Sequence, residues 1–189
     1  MTVDVMIPET EALVTGDKLW AMGNIGPCEL VEGKIVFMSP TGFPHGNYEG
    51  NFYEQLKAYA RQKKSGKVVV GEVGIYVQRD PDTIRAADVV YVSNERLAQR
   101  RKTSGYLDVA PELIVEILSP DDRWQEVNQK MREYFAIGVN LVWVVEPASK
   151  TVYAYRSMTA VQEFAETDTL TAEDVLPGFS APVVALFEE

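Results

Sequence analysis

The stretch APELIVEILSP, residues 110–120, limits the fold more than any other part of the chain. Residues 113–118 read Leu-Ile-Val-Glu-Ile-Leu, five aliphatic side chains and one glutamate. An apolar run without alternation belongs to a strand covered on both faces. An ionised carboxylate in such a strand is costly unless it is paired, hydrogen-bonded or bound to a cation. Glu116 therefore needs a partner.

Two other predicted strands share this feature. Asp88 lies in AADVVYV and Glu72 in VVVGEVGIYV. Side chains alternate along a strand, so Asp88 shares a face with Val90 and Val92, and Glu116 with Ile114 and Leu118. If the strands are neighbours and these faces agree, the carboxylates lie side by side. Like charges that close repel unless one is protonated or a cation sits between them. A hard divalent ion held by carboxylates and waters is one solution; for each acid taken alone, a protein partner or an exposed edge is another.

The residues after Glu116 predict a helix. Ser119 would be its N-cap, Pro120 its first residue, and Asp121 and Asp122 its acidic first turn. Its apolar stripe is Trp124, Val127, Met131, Tyr134 and Phe135, and Gly138 closes it. Lys130 falls about 90° from the stripe centre, on the flank shared with Arg123 and Glu126. From there a lysine can bury its stem and carry its ammonium over a sheet edge, or simply pair with Glu126 in solvent.

Elsewhere, residues 28–40 predict a hairpin turning at Glu32-Gly33. TGFPHG reads as a loop before a helix over about 47–62, with Tyr48, Phe52, Leu56 and Tyr59 on one stripe. KKSGK ends that helix, with Gly66 just beyond. NLVWVVEP and TVYAYR read as a strand pair, and the segment from 159 as a short, proline-broken tail. Strands interleaved with helices indicate an α/β (α+β) fold, a mixed sheet flanked by helices. Residues 113–145 read as a right-handed strand–helix–strand crossover. The 189 residues fit a single domain with its core at about 29–158.

Composition excludes several chemistries. One histidine and one cysteine cannot build a Cys/His zinc site. No G-x-S-x-G elbow, P-loop or dinucleotide fingerprint is present. Candidates must come from carboxylates, lysine and His45. No apolar window reaches the length of a membrane span, and the start lacks a signal-peptide pattern, so a cytoplasmic protein is expected. The net charge is −10, but residues 57–102 hold eleven Lys/Arg against five Asp/Glu. Such asymmetry can mark a polyanion-binding surface or be an ordinary mixed surface.

The order strand acid, strand Asp, strand Glu, helix Lys resembles the PD-(D/E)XK nuclease superfamily, in particular its bacterial and cyanobacterial restriction-endonuclease-like branch. The similar segments are CELVEG, FMSPTGFPHG, GEVGIYV, IRAADVVYV, DVAPELIVEILSPDDRWQEVNQKMREYFAIGVNLVWVVEP and VLPGFSAPVV. Asp88 stands at the motif's Asp and Glu116 at its second acid. Ala87 replaces the motif's Pro. Leu118 stands where the motif places its Lys, and Lys130 is the matching base on the following helix. Glu72 resembles a further acid of the branch, His45 a histidine at the start of the first helix, and Glu49 another possible acid there.

The resemblance implies a restriction-endonuclease-like fold and metal-dependent hydrolysis of DNA. Asp88, Glu116 and Glu72 would hold Mg²⁺ or Mn²⁺, and Asp88, Glu116 and Lys130 would be catalytic. Bases of residues 57–102, especially RLAQRRK, would contact phosphates, and a homodimer would reach both strands. Tyr48, Tyr91 and Trp124 are read as core rather than stacking platforms. A catalytically inactive nucleic-acid-binding or assembly module, and a hydrolase of another phosphate ester, stay open as alternatives.

Overall fold

The computed structural model describes residues 12–101 and 105–188. In chain order the elements are α1 (Gly16–Ala21), β1 (Cys28–Val31), β2 (Lys34–Phe37), α2 (Phe43–Lys63), β3 (Gly66–Gln78), β4 (Thr83–Ser93) and α3 (Asn94–Leu97). There follow β5 (Leu113–Ile117), α4 (Trp124–Ala136), β6 (Leu141–Glu146), β7 (Thr151–Ser157), β8 (Ala160–Phe164), β9 (Thr169–Thr171), β10 (Ser180–Pro182) and α5 (Val183–Leu186). The main sheet has eight strands in the order β2-β1-β4-β5-β6-β7-β8, with β3 also paired to β4; β9 and β10 form a separate ribbon. Among the strands of the described residues only β5 and β6 pair in parallel, joined through α4 as their crossover. The mixed sheet with flanking helices is the expected architecture.

Both faces of the sheet are covered. Phe52, Leu56 and Tyr59 of α2 pack on Val89, Val115 and Trp143. Met131 and Tyr134 of α4 pack on Val90, Ile114 and Val142 of the other face. All five residues of β5 are buried, Glu116 among them.

The centre of the sheet contains a fork. β3 pairs along nearly all of β4, including Ile84 and Val89–Tyr91. A strand residue has one neighbour on each side. β1, at Ile84, and β5, at Val89–Tyr91, must therefore share the opposite edge of β4, one at each end. Between them residues 85–88 have no strand partner on that edge. Across β4, the register passes from Val70↔Val89 to Val73↔Ala87, so Gly71 and Glu72 together oppose Asp88. This is a bulge, and Gly71 and Glu72 take positive φ values there, 91° and 52°.

Local chemistry explains where elements depart from expectation. α2 begins at Phe43 rather than near residue 47. Pro44 and Gly46 read as loop formers, but a proline in the first turn sacrifices no helical hydrogen bond, and the extra turn carries His45. Lys64, with φ 52°, takes the left-handed cap expected of Gly66. Gly66 is needed because a Cβ there would overlap the Val92 carbonyl. Ser119 does not cap α4 and Pro120 does not open it. Asp122 N–H donates to the Ser119 carbonyl at 3.0 Å, and Ser119 N–H donates to Asp122 Oδ2 at 2.7 Å, closing a turn before the helix. A short acidic side chain bonding locally to the backbone competes with helix in this way. Trp124 thus stands at the helix start, half exposed rather than core.

The segment after 158 packs tightly. β8 lies on the sheet edge, and Leu170, Leu176, Ala181, Val183 and Leu186 are fully buried against α2 and the sheet. Leu186→Ala should therefore cost about 2–5 kcal/mol, the range for a buried Leu truncation. Urea unfolding checks this; a loss below about 0.5 kcal/mol would show that the segment does not belong to the cooperative core.

Candidate functional site

The fork and the bulge open into a cleft of about 560 Å³. It is lined by Glu29, Glu72, Asp88, Glu116, Asp121, Asp122 and Glu126, against the cations Lys130 and His45. The rim includes Phe37, 65% exposed, and Thr41, whose hydroxyl donates to Glu72 Oε1 at 3.3 Å. All of the acids expected at a metal site from the sequence, Asp88, Glu116 and Glu72, line this one cleft, as does Lys130.

Asp88 is at the middle of the fork. Continuing the β4–β5 register one step past Val89↔Val115 sets it opposite Glu116. β5 turns away there, and the Ile117 N–H donates to Asp88 Oδ2 at 2.6 Å, a side chain standing in for a ladder carbonyl. Burial pushes the Asp88 carboxyl well above its ordinary range, and Glu116 adds to that, against the opposing pull of His45 and the Ile117 bond.

Glu116 is held by α4. Tyr134 donates its hydroxyl to Oε1 at 2.6 Å, while the Lys130 ammonium lies 3.5 Å from Oε2. Burial raises the Glu116 carboxyl, and the opposing effects of Lys130 and Tyr134 do not fully offset it. Lys130 also donates to the Ala86 carbonyl at 3.2 Å and lies 3.0 Å from Glu29 Oε1. Burial disfavours its charge, but Glu116 and Glu29 reverse the effect, so it remains an ammonium at neutral pH. An ammonium carried by α4 thus reaches the cleft, one residue before Met131 docks the helix on the sheet.

His45, in the first turn of α2, reaches the same place. Its Nε2 lies 2.9 Å from the Ile117 carbonyl and 3.6 Å from Asp88 Oδ2. Its Nδ1 is 3.2 Å from Glu49 Oε1, an ion pair off the ideal hydrogen-bond direction. Burial lowers the basicity of the imidazole, but Glu49, Asp88 and the Ile117 carbonyl outweigh it and push the pKa up to about 9.

Two donor sets share Asp88. Donor atoms of His45, Glu49 and Asp88 lie within 4.8 Å of one another. As an imidazolium, however, His45 has no free lone pair at neutral pH, so a cation there must displace a proton. The carboxylates Asp88, Glu116 and Glu72 offer only hard oxygen donors, which fit Mg²⁺ or Mn²⁺.

Glu29 of β1 carried no sign in the sequence beyond its place between Cys28 and Leu30. It is 5% exposed. The Ala86 N–H donates to its Oε1 at 3.0 Å and Arg85 Nη1 to its Oε2 at 2.8 Å. Burial opposes its charge, but Lys130 and Arg85 prevail and hold the Glu29 carboxyl below its ordinary range.

Two bases of the basic stretch have partners within the chain. Arg96 is engaged by Glu112 at 3.2 Å and by the carbonyls of Ala110 and Pro111, and Arg100 lies 3.7 Å from Asp108. Their charges hold the loop before β5. Lys102 lies outside the described residues. Tyr91 is buried, and Tyr48 packs edge-on against Phe187.

The opposite shifts of Asp88 and Glu29 have opposite consequences. With its folded pKa raised, Asp88 burdens the native state once pH exceeds that value, and the burden vanishes below the unfolded pKa. Asp88→Asn should therefore raise the metal-free thermal midpoint at pH 7, by about 2–4 °C for each kcal/mol relieved. Glu29, with its pKa depressed, stabilises above the unfolded value and loses that contribution as pH falls through the folded one. Glu29→Gln should flatten the acid limb of the stability profile below about pH 4.5. Calorimetric scans in EDTA from pH 3 to 7 read both; a lowered midpoint for Asp88→Asn at pH 7 would contradict the burial argument.

Comparison with known proteins identifies the fold and the family. Residues 18–184 match the Uma2 family, described as "Putative restriction endonuclease". The crystal structure of a putative nuclease belonging to DUF820 from Anabaena variabilis matches with a TM-score of 0.76 at 19% identity, covering 92% of this chain and 97% of that one. At that identity the likeness establishes the fold. No curated protein matches the chain. Among the described residues no helix is long and apolar enough to cross a membrane. A family match over nearly the whole chain, on a nuclease-like fold, makes this protein a member of the Uma2 family of putative restriction endonucleases.

Proposed function

We propose that the protein is a metal-dependent endonuclease that hydrolyses DNA phosphodiester bonds in the cytoplasm. The observation that carries this reading is the cleft: seven carboxylates gathered around one ammonium and one imidazole. A polyanion cannot approach such a surface until cations neutralise it. Asp88, Glu116 and Glu72 would hold Mg²⁺ or Mn²⁺. Bound there, the ion would lower the pKa of a water and polarise the scissile phosphate.

The chain's own groups would do the rest. Tyr134 fixes the rotamer of Glu116 by holding Oε1, which leaves Oε2 facing the cleft. The Ile117 N–H does the same for Asp88 Oδ2. Lys130 would orient the attacking water or stabilise charge developing on the phosphate, a role for a preorganised cation in a partly dry site. Asp88, Glu116 and Lys130 are therefore the catalytic residues of this reading. A homodimer would present one such cleft to each strand of a duplex.

Nicking of supercoiled plasmid with Mg²⁺ or Mn²⁺, and its absence in EDTA, is the direct test. Asp88→Asn and Glu116→Gln should abolish nicking, and Lys130→Met should reduce it about 10²–10³-fold, all with native circular dichroism. Calorimetric Mg²⁺ binding by the wild type without any turnover would instead favour a binding module on the same fold. Full nicking by Lys130→Met would remove the lysine from the mechanism.

A further inference from the structure

Lys130 stands between two carboxylates and is closer to the one that the nuclease reading does not use. Its Nζ is 3.0 Å from Glu29 Oε1 and 3.5 Å from Glu116 Oε2. Glu29 is itself immobilised. The backbone N–H of Ala86, left without a strand partner by the fork, donates to Oε1. Arg85 holds Oε2 and grips Glu133 with two further hydrogen bonds, at 2.6 and 3.0 Å. Glu133 lies three residues after Lys130 on α4, hence on an adjacent part of the same face. One carboxylate of β1 thus fixes the lysine directly, and through Arg85 it fixes the helix that carries the lysine.

We infer that Glu29 is a positioning residue that draws the Lys130 ammonium toward itself, limits its hold on Glu116 Oε2 and so leaves that oxygen available to a divalent cation. The inference rests on the metal-dependent reading above. A lysine on the catalytic strand would be placed by the strand itself. A lysine reaching in from a helix has a flexible four-carbon stem and two acids to choose from. Without Glu29 the ammonium would settle wholly on Glu116, where it would compete with the cation for the same oxygen.

A simpler view makes Glu29 one more negative charge near the cation, or a ligand of it. A double-mutant cycle separates the two. Mg²⁺ affinity is measured by calorimetry, without DNA, for wild type, Glu29→Gln, Lys130→Met and the double variant. Positioning predicts that Glu29→Gln weakens Mg²⁺ binding about tenfold when Lys130 is present and less than twofold in the Lys130→Met background. Equal losses in both backgrounds would overturn it.

A second readout needs neither metal nor turnover. The held ammonium of Lys130 should give a slowly exchanging ¹⁵N-ammonium signal, assigned by its absence in Lys130→Met. That signal should shift in Glu29→Gln as the ammonium moves onto Glu116; an unchanged signal there also overturns the proposal. Should the wild type bind no Mg²⁺ or cut no DNA, the nuclease reading fails while this signal still decides what Glu29 does. In an active enzyme Glu29→Gln should lower kcat and leave KM for DNA unchanged, whereas a residue that contacts DNA would raise KM.

Discussion

Everything at the cleft follows from two strands sharing one edge of a third. Where β1 and β5 part, the backbone of residues 85–88 loses its ladder on that side. Buried peptide groups without partners are costly, so polar side chains take the places of the missing strand. Glu29 accepts from the Ala86 N–H, Lys130 donates to the Ala86 carbonyl, and Asp88 accepts from Ile117. Groups recruited to complete the sheet are thereby gathered at one point, and the charges they bring give the cleft its chemistry. On the other edge the bulge at Gly71-Glu72 brings in one more acid without breaking the core.

Three of the buried acids meet different fates. Glu29 is surrounded by guanidinium and ammonium groups and is comfortable as an anion. Asp88 and Glu116 are desolvated beyond what their partners offset. An acid stabilised by its surroundings reads as scaffolding; one left short of positive charge reads as a place reserved for a cation. On the metal-dependent reading the site would hold both kinds within one hydrogen-bonded set, with Lys130 as the bridge between them.

Much of this was legible in the sequence because burial leaves a compositional trace. A lone acid in an otherwise aliphatic strand identified Asp88 and Glu116, and helical periodicity placed Lys130 on the flank from which it reaches them. What was not legible depends on pairings distant in sequence or on single turns. Glu29 sits in a four-residue strand, too short for alternation to distinguish a buried acid from a surface one, and its partners lie more than fifty residues away. The sequence singles out His45 but starts its helix too late, because Pro44 and Gly46 look like breakers. Composition also cannot show that Arg96, within the basic run, is engaged by Glu112 and nearby carbonyls. The left-handed Glu72 could not be foreseen at all, since a bulge is a property of two strands together.

The packing of residues 186–188 reaches further than their position suggests. Asn47 donates to the Glu188 carbonyl at 2.6 Å, and Asn51 donates to the carbonyls of Glu188 and Leu186 at 2.8 and 3.2 Å. These asparagines lie on α2, two and six residues beyond His45. The helix that delivers the imidazole to Asp88 is therefore moored by a segment more than 130 residues downstream. A nascent chain would have its strands and all its acids in hand while this mooring was still missing, so the cleft attains its final shape only as the last of these residues dock.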